Sequence, residues 1–368
     1  MTKAKEICIF RMEYSKENIV NLLSIEGKEE IEQLRQSAYK TMSEHCGEKV
    51  YLRGLVEFSN YCRNDCYYCG IRKSNANVER YHLEQSEIVE AAKWAAEQGY
   101  GSFVLQSGER TDPKFIDFVC EVLQKIKIGT KSDKLPDGLG ITLCVGEQDF
   151  ETYQRFFEAG AHRYLLRIET TNQELYSEIH PPEMKFENRL HCLAMLREIG
   201  YQVGTGVMIG IPGQTIEDLA QDILFFKEHD IDMIGMGPFI NHEDTPMGAG
   251  KTNDFKDNKL LFLSLKMIAV ARLVLKDVNI AATTALQAIS PFGREHGLRY
   301  GANVVMPLMT PLEVRKSYQL YDGKPCIDEF GSECAECLAQ RIVSTDREIA
   351  KNEWGDSRHF INKKKKSK

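Results

Sequence analysis

The chain has 368 residues, 42% of them hydrophobic and 27% charged, and its formal net charge is −7. These values are ordinary for a globular protein of two average domains or of one barrel with extensions, and the negative charge gives no reason to expect a nucleic-acid partner. No apolar run approaches the ~18 residues that span a membrane, and no long apolar signal core follows the N-terminus, so a cytoplasmic location is expected.

The first predicted element is a polar stretch, 27–47, whose apolar residues recur at helical spacing and which is predicted to form an N-terminal helix. From residue 51, short β-rich runs alternate with longer amphipathic runs, a pattern typical of parallel strands joined by helices. The predicted strands are 52–58, 103–107, 140–144, 164–168, 203–208, 233–237, 279–283 and 303–306. The predicted helices between them are 86–98, 149–159, 186–199, 215–228 and 256–275.

Eight such units predict an α/β fold, a complete (β/α)8 barrel with catalytic groups at the C-terminal ends of its strands. An open doubly wound sheet is the alternative, but no Gly-x-Gly-x-x-Gly turn follows the first strand. The expected organisation is an N-terminal extension (1–50), the barrel (51–310) and a C-terminal segment (311–368) with a basic tail. The lysine-rich tail from Asn362 is expected to be a frayed, solvated end.

The first strand leads into Cys62-Arg63-Asn64-Asp65-Cys66-Tyr67-Tyr68-Cys69, which has the spacing Cys-x3-Cys-x2-Cys. Thiolates are soft ligands that suit iron–sulfur clusters or zinc. Three protein ligands for a cubane of four irons leave one iron open, and an open metal position is a place for chemistry. This loop is therefore predicted to be the functional centre.

Polar residues and glycines follow nearly every predicted strand, and in a barrel they would converge at one mouth. Among them, Arg167 and Glu169 have the spacing that places side chains on one face of a strand. One interpretation is an ion pair that stabilises the fold. The other is a charged clamp for a zwitterionic ligand, since a carboxylate needs a cation and an ammonium needs a carboxylate.

The chain contains eleven cysteines, an odd number that does not suggest a small disulfide framework. A second group, Cys326, Cys334 and Cys337, follows the last predicted strand. The remaining five are interpreted as small buried or half-buried residues. They are Cys8, Cys46, Cys120, Cys144 and Cys192.

Taken together, these motifs resemble the HydE family of [FeFe]-hydrogenase maturases, which are radical S-adenosylmethionine (SAM) enzymes. The resemblance extends from about residue 50 to about residue 340, and biotin synthase and methylornithine synthase are relatives of that family. The segments that carry it are Cys62–Cys66, Leu105–Glu109, Arg163–Arg167, Phe186–Arg189, Gly210–Thr215 and Ala282–Ala285.

The resemblance implies a [4Fe-4S] cluster held by Cys62, Cys66 and Cys69, with SAM chelating the fourth iron. It assigns to the SAM site Tyr68, Gln106, Ser107, Glu169, Arg189 and Met306. It assigns to the substrate cavity Thr142, Arg167, Thr283 and Thr284. Glu169 would then face SAM while Arg167 serves the substrate.

For the second cysteine group, the resemblance implies an accessory [2Fe-2S] or [4Fe-4S] cluster. Three cysteines without a nearby fourth ligand fit zinc poorly. Zinc and unmetallated thiols nevertheless stay open as alternatives.

The implied activity is reductive cleavage of SAM to a 5′-deoxyadenosyl radical during assembly of the hydrogenase H-cluster. The implied substrate is a small anionic iron–cysteine complex bearing CO and cyanide, supplied by HydG. The product passes to the scaffold HydF, and electrons come from a low-potential donor. The alternatives are a radical SAM enzyme for another amino-acid-like substrate, of the methylornithine synthase or biotin synthase type, and a non-catalytic iron–sulfur electron carrier.

Overall fold

The computed structural model describes residues 14–249, 258–327 and 331–366, with the backbone alone for residues 331–335. Cys8, the start of the predicted helix 256–275 and the side chain of Cys334 therefore lie outside the described residues. The described helices are α1 Lys16–Leu23, α2 Lys28–Cys46, α3 Gln85–Glu97, α4 Pro113–Gly129, α5 Phe150–Glu158, α6 Gln173–Ile179, α7 Phe186–Ile199, α8 Ile216–Glu228, α9 Lys259–Leu275, α10 Thr284–Ile289, α11 Gly293–Arg299, α12 Leu312–Arg315, α13 Gly331–Val343 and α14 Arg358–Lys366. The described strands are β1 Lys49–Ser59, β2 Ser102–Ser107, β3 Gly140–Cys144, β4 Ala161–Leu165, β5 Gln202–Thr205, β6 Met208–Ile209, β7 Met233–Ile234, β8 Gly237–Pro238, β9 Asn279–Ile280, β10 Val304–Val305 and β11 Glu348–Ala350.

The centre of the fold is a ring of parallel strands. Within the described residues the strands pair in the order β10, β1, β2, β3, β4, β5, β7 and β9. The two ends of this order meet, since the N–H of Ala282 donates to the carbonyl of Val304 and the N–H of Asn303 donates to that of Ile280, each at 2.9 Å. The prediction of a complete (β/α)8 barrel is therefore confirmed.

The eight predicted strands are all present, but β4 is displaced from its predicted range. It covers Ala161–Leu165 rather than 164–168. Beyond this strand the N–H of Ile168 donates to the hydroxyl of Thr205 at 3.1 Å, and Glu169 adopts a left-handed φ of 66°. The chain beyond β4 still follows β5, since the N–H groups of Leu166 and Glu169 donate to the carbonyls of Gly204 and Gly206, but the Thr205 side chain interrupts the regular strand pairing at Ile168.

Helix α8 shows how the local sequence determines where a barrel helix begins and which face it buries. The hydroxyl of Thr215 accepts from the N–H of Asp218 at 3.1 Å, and the Asp218 carboxylate accepts from the N–H of Thr215 at 2.8 Å. This capping box satisfies donors that the first helical turn leaves free. Leu219, Ile223 and Phe226 are buried on the inner face, as predicted.

Both extensions pack against the barrel. Helices α1 and α2 contact α8 and α9 on its outside, and α1, which the sequence pattern did not predict, buries Ile19 and Leu22. Strand β11 of the C-terminal segment pairs in parallel with β1. The division into parts 1–50, 51–310 and 311–368 stays a prediction.

The expectation of a frayed basic tail is wrong for its described part, which belongs to helix α14. Lys363 Nζ lies 2.8 Å from Asp230 Oδ2 and 2.7 Å from Asp232 Oδ1. His359 Nε2 lies 2.6 Å from the other oxygen of Asp230. Acidic residues of the loop between α8 and β7 therefore hold the basic helix α14. The local sequence of the tail does not reveal this partner.

The C-terminal segment also closes the N-terminal end of the barrel. Arg163 is fully buried and donates to Ser102 Oγ at 3.0 Å and to the carbonyl of Trp354 at 2.6 Å, and it pairs with Asp356. The opposite end of the barrel, where the strands finish, is thus the one open to ligands. Among the described helices, none combines the length and the apolarity needed to cross a membrane.

Candidate active site

A cavity of about 290 Å³ lies at the C-terminal ends of the strands. Its lining joins residues from the cluster loop, from five or more strand ends and from the segment that follows the barrel. The predicted residues that line it are Cys62, Tyr68, Cys69, Gln106, Ser107, Arg167, Glu169, Arg189, Thr283, Thr284 and Met306. A larger groove of about 780 Å³ lies on the outer surface beside α2 and α9 and carries none of the predicted site residues.

Of the residues predicted for the first cluster, SAM and the substrate, Thr142 and Cys66 do not line this cavity. Thr142 lies one layer deeper on β3, where it lines a void of about 20 Å³ together with Arg53 and Asn279. Within the described part of the chain the Thr142 hydroxyl is buried and has no hydrogen-bond partner. A void of this size holds about one water molecule. Cys66 lies beside the cavity, with its Sγ 3.6 Å from Met184 Sδ.

The cluster loop, defined here as residues 60–75, is fixed by hydrogen bonds to its neighbours. The N–H of Arg63 donates to the carbonyl of Glu109 at 2.9 Å, and the N–H of Glu109 points at Cys62 Sγ, 3.4 Å away. Inside the loop, Asp65 accepts from Arg72 at 2.6 Å. These bonds hold the thiols at one side of the cavity.

The three cysteines of the loop are half-buried. Burial raises the pKa of Cys62 and Cys66, and it raises that of Cys69 to about 12. Among the described side chains, no three His, Cys, Asp or Glu residues converge on a single metal ion. A cubane does not need that convergence, because each cysteine binds a different iron. Three cysteine donors in one short loop, of which Cys62 and Cys69 line the cavity, fit an iron–sulfur cluster better than a lone zinc ion.

Arg167 and Glu169 contact each other, with Arg167 Nη2 3.0 Å from Glu169 Oε2. The contact lacks hydrogen-bond geometry, so this buried oxygen has no hydrogen-bond partner among the described residues. The two residues lie beyond the end of β4, so they do not share a strand face, but they contact each other, as the ion-pair interpretation of their spacing expected. Burial raises the pKa of Glu169, while the Arg167 and Arg189 charges oppose that shift.

Arg189 reaches the cavity from helix α7. Its Nε lies 2.6 Å from Glu147 Oε1, and it also donates to the carbonyl of Arg167. Gln106 donates to the Tyr318 hydroxyl at 3.3 Å. The Glu169 carboxylate, the Arg189 guanidinium and the Gln106 amide therefore line the cavity that Cys62 and Cys69 also line. Such groups match the ammonium, carboxylate and hydroxyls of SAM.

On the far side of the cavity, Thr283 donates to the carbonyl of Met236 at 3.0 Å. The Thr284 hydroxyl accepts from Arg294 Nη2 at 3.4 Å. With Arg167, these hydroxyls give the cavity a cation and polar groups opposite the cluster loop. The arrangement suits a small anion.

Sequence reasoning missed several residues that line the cavity. Glu57 offered a signal, since it is one of two charged residues, with Arg53, inside the predicted strand 52–58. A segment without helical or strand periodicity also contributes to the lining, with Tyr318, Tyr321 and Lys324. Its position depends on the long-range contact between Lys324 and Glu57.

The second cysteine group is described only in part. Cys326 has a left-handed φ of 64°, and its Sγ lies 3.7 Å from Arg294 Nη2. Cys337 is exposed, and the side chain of Cys334 is outside the described residues. The proposed accessory cluster therefore stays a prediction.

Comparison with known proteins extends these observations. A family model described as the radical SAM superfamily matches residues 56–226. The chain is 44% identical over 351 residues to the [FeFe] hydrogenase maturase subunit HydE of Thermotoga maritima, which covers 95% of this chain and 96% of the relative. It is 32% identical over 298 residues to 3-methylornithine synthase of Methanosarcina acetivorans, covering 80% of this chain and 79% of the relative. The crystal structure of methylornithine synthase (PylB) superposes with a TM-score of 0.77 at 26% identity, covering 94% of this chain and 96% of that one.

Proposed function

The chain belongs to the HydE family of [FeFe]-hydrogenase maturases, and we propose that it acts on a small iron complex during assembly of the diiron subcluster of the H-cluster. It is a radical SAM enzyme, for which the family implies a [4Fe-4S] cluster and SAM. The observation that carries the proposal is a single cavity lined by Cys62 and Cys69 on one side and by Arg167, Thr283 and Thr284 on the other. The site thus has a place for radical generation next to a place for an anionic substrate.

For the cofactors, we propose that the three cysteines of the cluster loop bind three irons of the cluster and that SAM binds the fourth iron. When bound, the two cofactors supply the 5′-deoxyadenosyl radical by reductive cleavage of SAM. The proposed SAM contacts are Tyr68, Gln106, Ser107, Glu169, Arg189 and Met306. We assign the carboxylate of Glu169 to the SAM ammonium, since its Oε2 lacks a hydrogen-bond partner among the described residues, although it lies 3.0 Å from Arg167 Nη2.

The chain's own contribution is orientation and exclusion of water. Arg163 and the residues around Trp354 close the N-terminal end of the barrel. A reactive radical needs such an enclosure, since stray hydrogen donors would quench it. The substrate is thereby confined between the cluster loop and the strand ends.

For the substrate, we propose an iron–cysteine complex bearing CO and cyanide, supplied by HydG, whose product passes to HydF. Cyanide and carboxylate groups need a cation or hydrogen-bond donors. Arg167 supplies the cation, and the hydroxyls of Thr283 and Thr284 border the same space. Thr142, with a hydroxyl unpartnered among the described residues, lies below them as a deeper contact.

A second candidate is a radical SAM reaction on an amino-acid-like substrate, as in methylornithine synthase. The identity of 32% to that enzyme and the TM-score of 0.77 to its structure favour it over a biotin-synthase-like reaction. The cavity supports it as well, since Arg167 could bind an amino-acid carboxylate. The higher identity and coverage of the HydE relative favour the maturase reaction.

We also propose that Cys326, Cys334 and Cys337 bind an accessory iron–sulfur cluster. The support is their spacing in the sequence and the position of Cys326 beside Arg294, a cation that would offset the charge of thiolate ligands. Zinc and free thiols are the alternative states. Metal analysis of purified protein distinguishes the three.

The test of function is anaerobic reconstitution with iron and sulfide, followed by dithionite and SAM. We expect 5′-deoxyadenosine, and its absence would contradict both enzyme proposals. Active hydrogenase, formed in a defined assay with HydG and HydF, separates the maturase reaction from the amino-acid reaction. Cys66→Ala should abolish both outcomes, while Cys120→Ala, which changes a half-buried cysteine on α4, serves as the matched control.

A further inference from the structure

One wall of the cavity is formed by residues outside the barrel. Residues 317–324, called here the wall segment, follow helix α12 and lie in neither a helix nor a strand. Tyr318, Leu320, Tyr321 and Lys324 of this segment line the cavity. Because no regular element holds these residues, their position depends on particular side-chain and backbone contacts.

The strongest of these contacts joins Lys324 to Glu57 on β1. Lys324 Nζ lies 2.6 Å from each carboxylate oxygen of Glu57 and donates to the carbonyl of Tyr318 at 2.8 Å. Glu57 is 2% exposed and Lys324 is 8% exposed. The three donors of the ammonium are thereby used, so Lys324 has none left for a ligand. Its effect on a substrate must act through the backbone that it holds.

The wall segment also contacts the cluster loop. The N–H of Gly70, the residue after Cys69, donates to the carbonyl of Leu320 at 3.0 Å. A Cβ placed at Gly70 would lie 2.1 Å from the carbonyl oxygen of Gln319, so only glycine permits this approach. Asn60 Nδ2 donates to the carbonyl of Ser317 at 2.6 Å. The segment therefore spans from the cluster loop to the buried ion pair.

We propose that Glu57 and Lys324 are a positioning pair that fixes the wall segment as the substrate-facing wall of the active site. This inference takes its substrate from the proposed function. It extends that function by assigning part of the positioning of the substrate to residues outside the barrel. The pair meets the proposed SAM contacts at Gln106, which lies opposite Glu57 in the β1–β2 register and donates to the Tyr318 hydroxyl. Loss of the pair should loosen the substrate wall while the cluster and most SAM contacts remain.

The test replaces both partners with apolar residues of similar length, in the variant Glu57→Met/Lys324→Met. Removing one partner would strand a buried charge, whereas replacing both is often neutral for stability. We expect hydrogen exchange of residues 312–327 to accelerate by about tenfold or more. The KM for the iron complex should rise by about tenfold, because small displacements near a reacting centre carry large costs. The Kd for SAM should stay within about twofold of wild type.

The matched control is Lys49→Met/Glu353→Met, which removes a Lys–Glu pair that lies on the surface, with side chains 49% and 42% exposed. It should leave exchange of the wall segment and the KM unchanged. If Glu57→Met/Lys324→Met behaves like this control in both measurements, the positioning role is wrong.

Wild-type protein supplies a test that does not depend on the variant folding. The amides of Tyr318 and Asp322, which donate to the carbonyls of Arg315 and Asn241 at 3.2 and 3.0 Å, should exchange as slowly as those of β1, despite lying outside helices and strands. Exchange as fast as in the exposed loop 131–134 would overturn the proposal. Failure of wild-type protein to turn over the iron complex would contradict the proposed function alone, since the exchange measurements report on the wall without any substrate.

Discussion

The hydroxyl of Tyr68 lies 3.2 Å from Nε2 of His180, and the two rings meet edge to face. Nδ1 of His180 lies 2.9 Å from the carbonyl of Tyr176, which can only accept a hydrogen bond. Burial lowers the pKa of His180 to about 3, so the ring is neutral with its proton on Nδ1. The Tyr68 hydroxyl therefore donates to Nε2, and this bond orients a ring assigned to the SAM pocket.

We predict that His180→Phe weakens SAM binding by about fivefold, because an uncharged hydrogen bond contributes roughly 1 kcal/mol. The Kd is measured by equilibrium binding to the reconstituted protein. Tyr68→Phe removes the same bond from the other side, so the two effects should not add in the double variant. Additive effects would show that the bond does not position Tyr68.

Glu169→Gln should raise the Kd for SAM by about tenfold or more, since a hydrogen bond to a charged group is worth roughly 1.5–3 kcal/mol. Burial raises the pKa of Glu169, so the uncharged amide should not lower the melting temperature of the protein without SAM. Binding and melting measurements on one preparation check both statements. Glu183→Gln, which changes an exposed carboxylate on the loop before α7, is the control, and an equal loss of affinity there would contradict the assignment.

Replacing Cys326, Cys334 and Cys337 together by Ala should reduce the iron content but leave SAM cleavage largely intact. The reason is that these positions are separate from the cluster loop in sequence, and Cys326 and Cys337 do not line the cavity. Iron analysis and 5′-deoxyadenosine yield, both per protein chain, are the measurements. A triple variant that no longer cleaves SAM under reducing conditions would refute this separation.

The contribution of helix α14 to stability should depend on pH through His359. Hydrogen bonds to Asp277 and Asp230 raise the pKa of His359 in the folded protein, although burial and the Lys363 charge oppose the shift. Because the folded pKa is raised, this contribution is complete below the unfolded value of about 6.5 and is lost as pH rises through the folded pKa. His359→Gln should therefore lower the melting temperature more at about pH 6 than at about pH 8.5. An equal decrease at both values would show that the His359 charge does not matter.

Much of the site could be predicted because its signals are local. Cys62, Cys66 and Cys69 lie within eight residues of one another, and the chemistry of thiolates alone indicates that they bind an iron–sulfur cluster or zinc. The eight strands could be predicted because the apolar pattern of each segment indicates whether that segment is buried, without knowledge of its neighbours in the fold. The same reasoning placed Arg167 and Glu169 side by side, and they do contact each other, but β4 ends before both residues and Glu169 has a left-handed φ that the pattern does not show.

By itself, the amino-acid sequence determined the barrel class and the cluster loop, because periodicity and the cysteine spacing are local features. Most residues of the SAM site and the substrate cavity were assigned by the resemblance to the HydE family, and not by periodicity or spacing. Only the tertiary structure decided that Thr142 lies a layer below the cavity, that helix α14 is held by Asp230, and that Lys324 meets Glu57 across 267 residues of chain. Such contacts depend on how the ring closes and how the terminal segments pack on it, and no local pattern encodes a partner so distant in sequence.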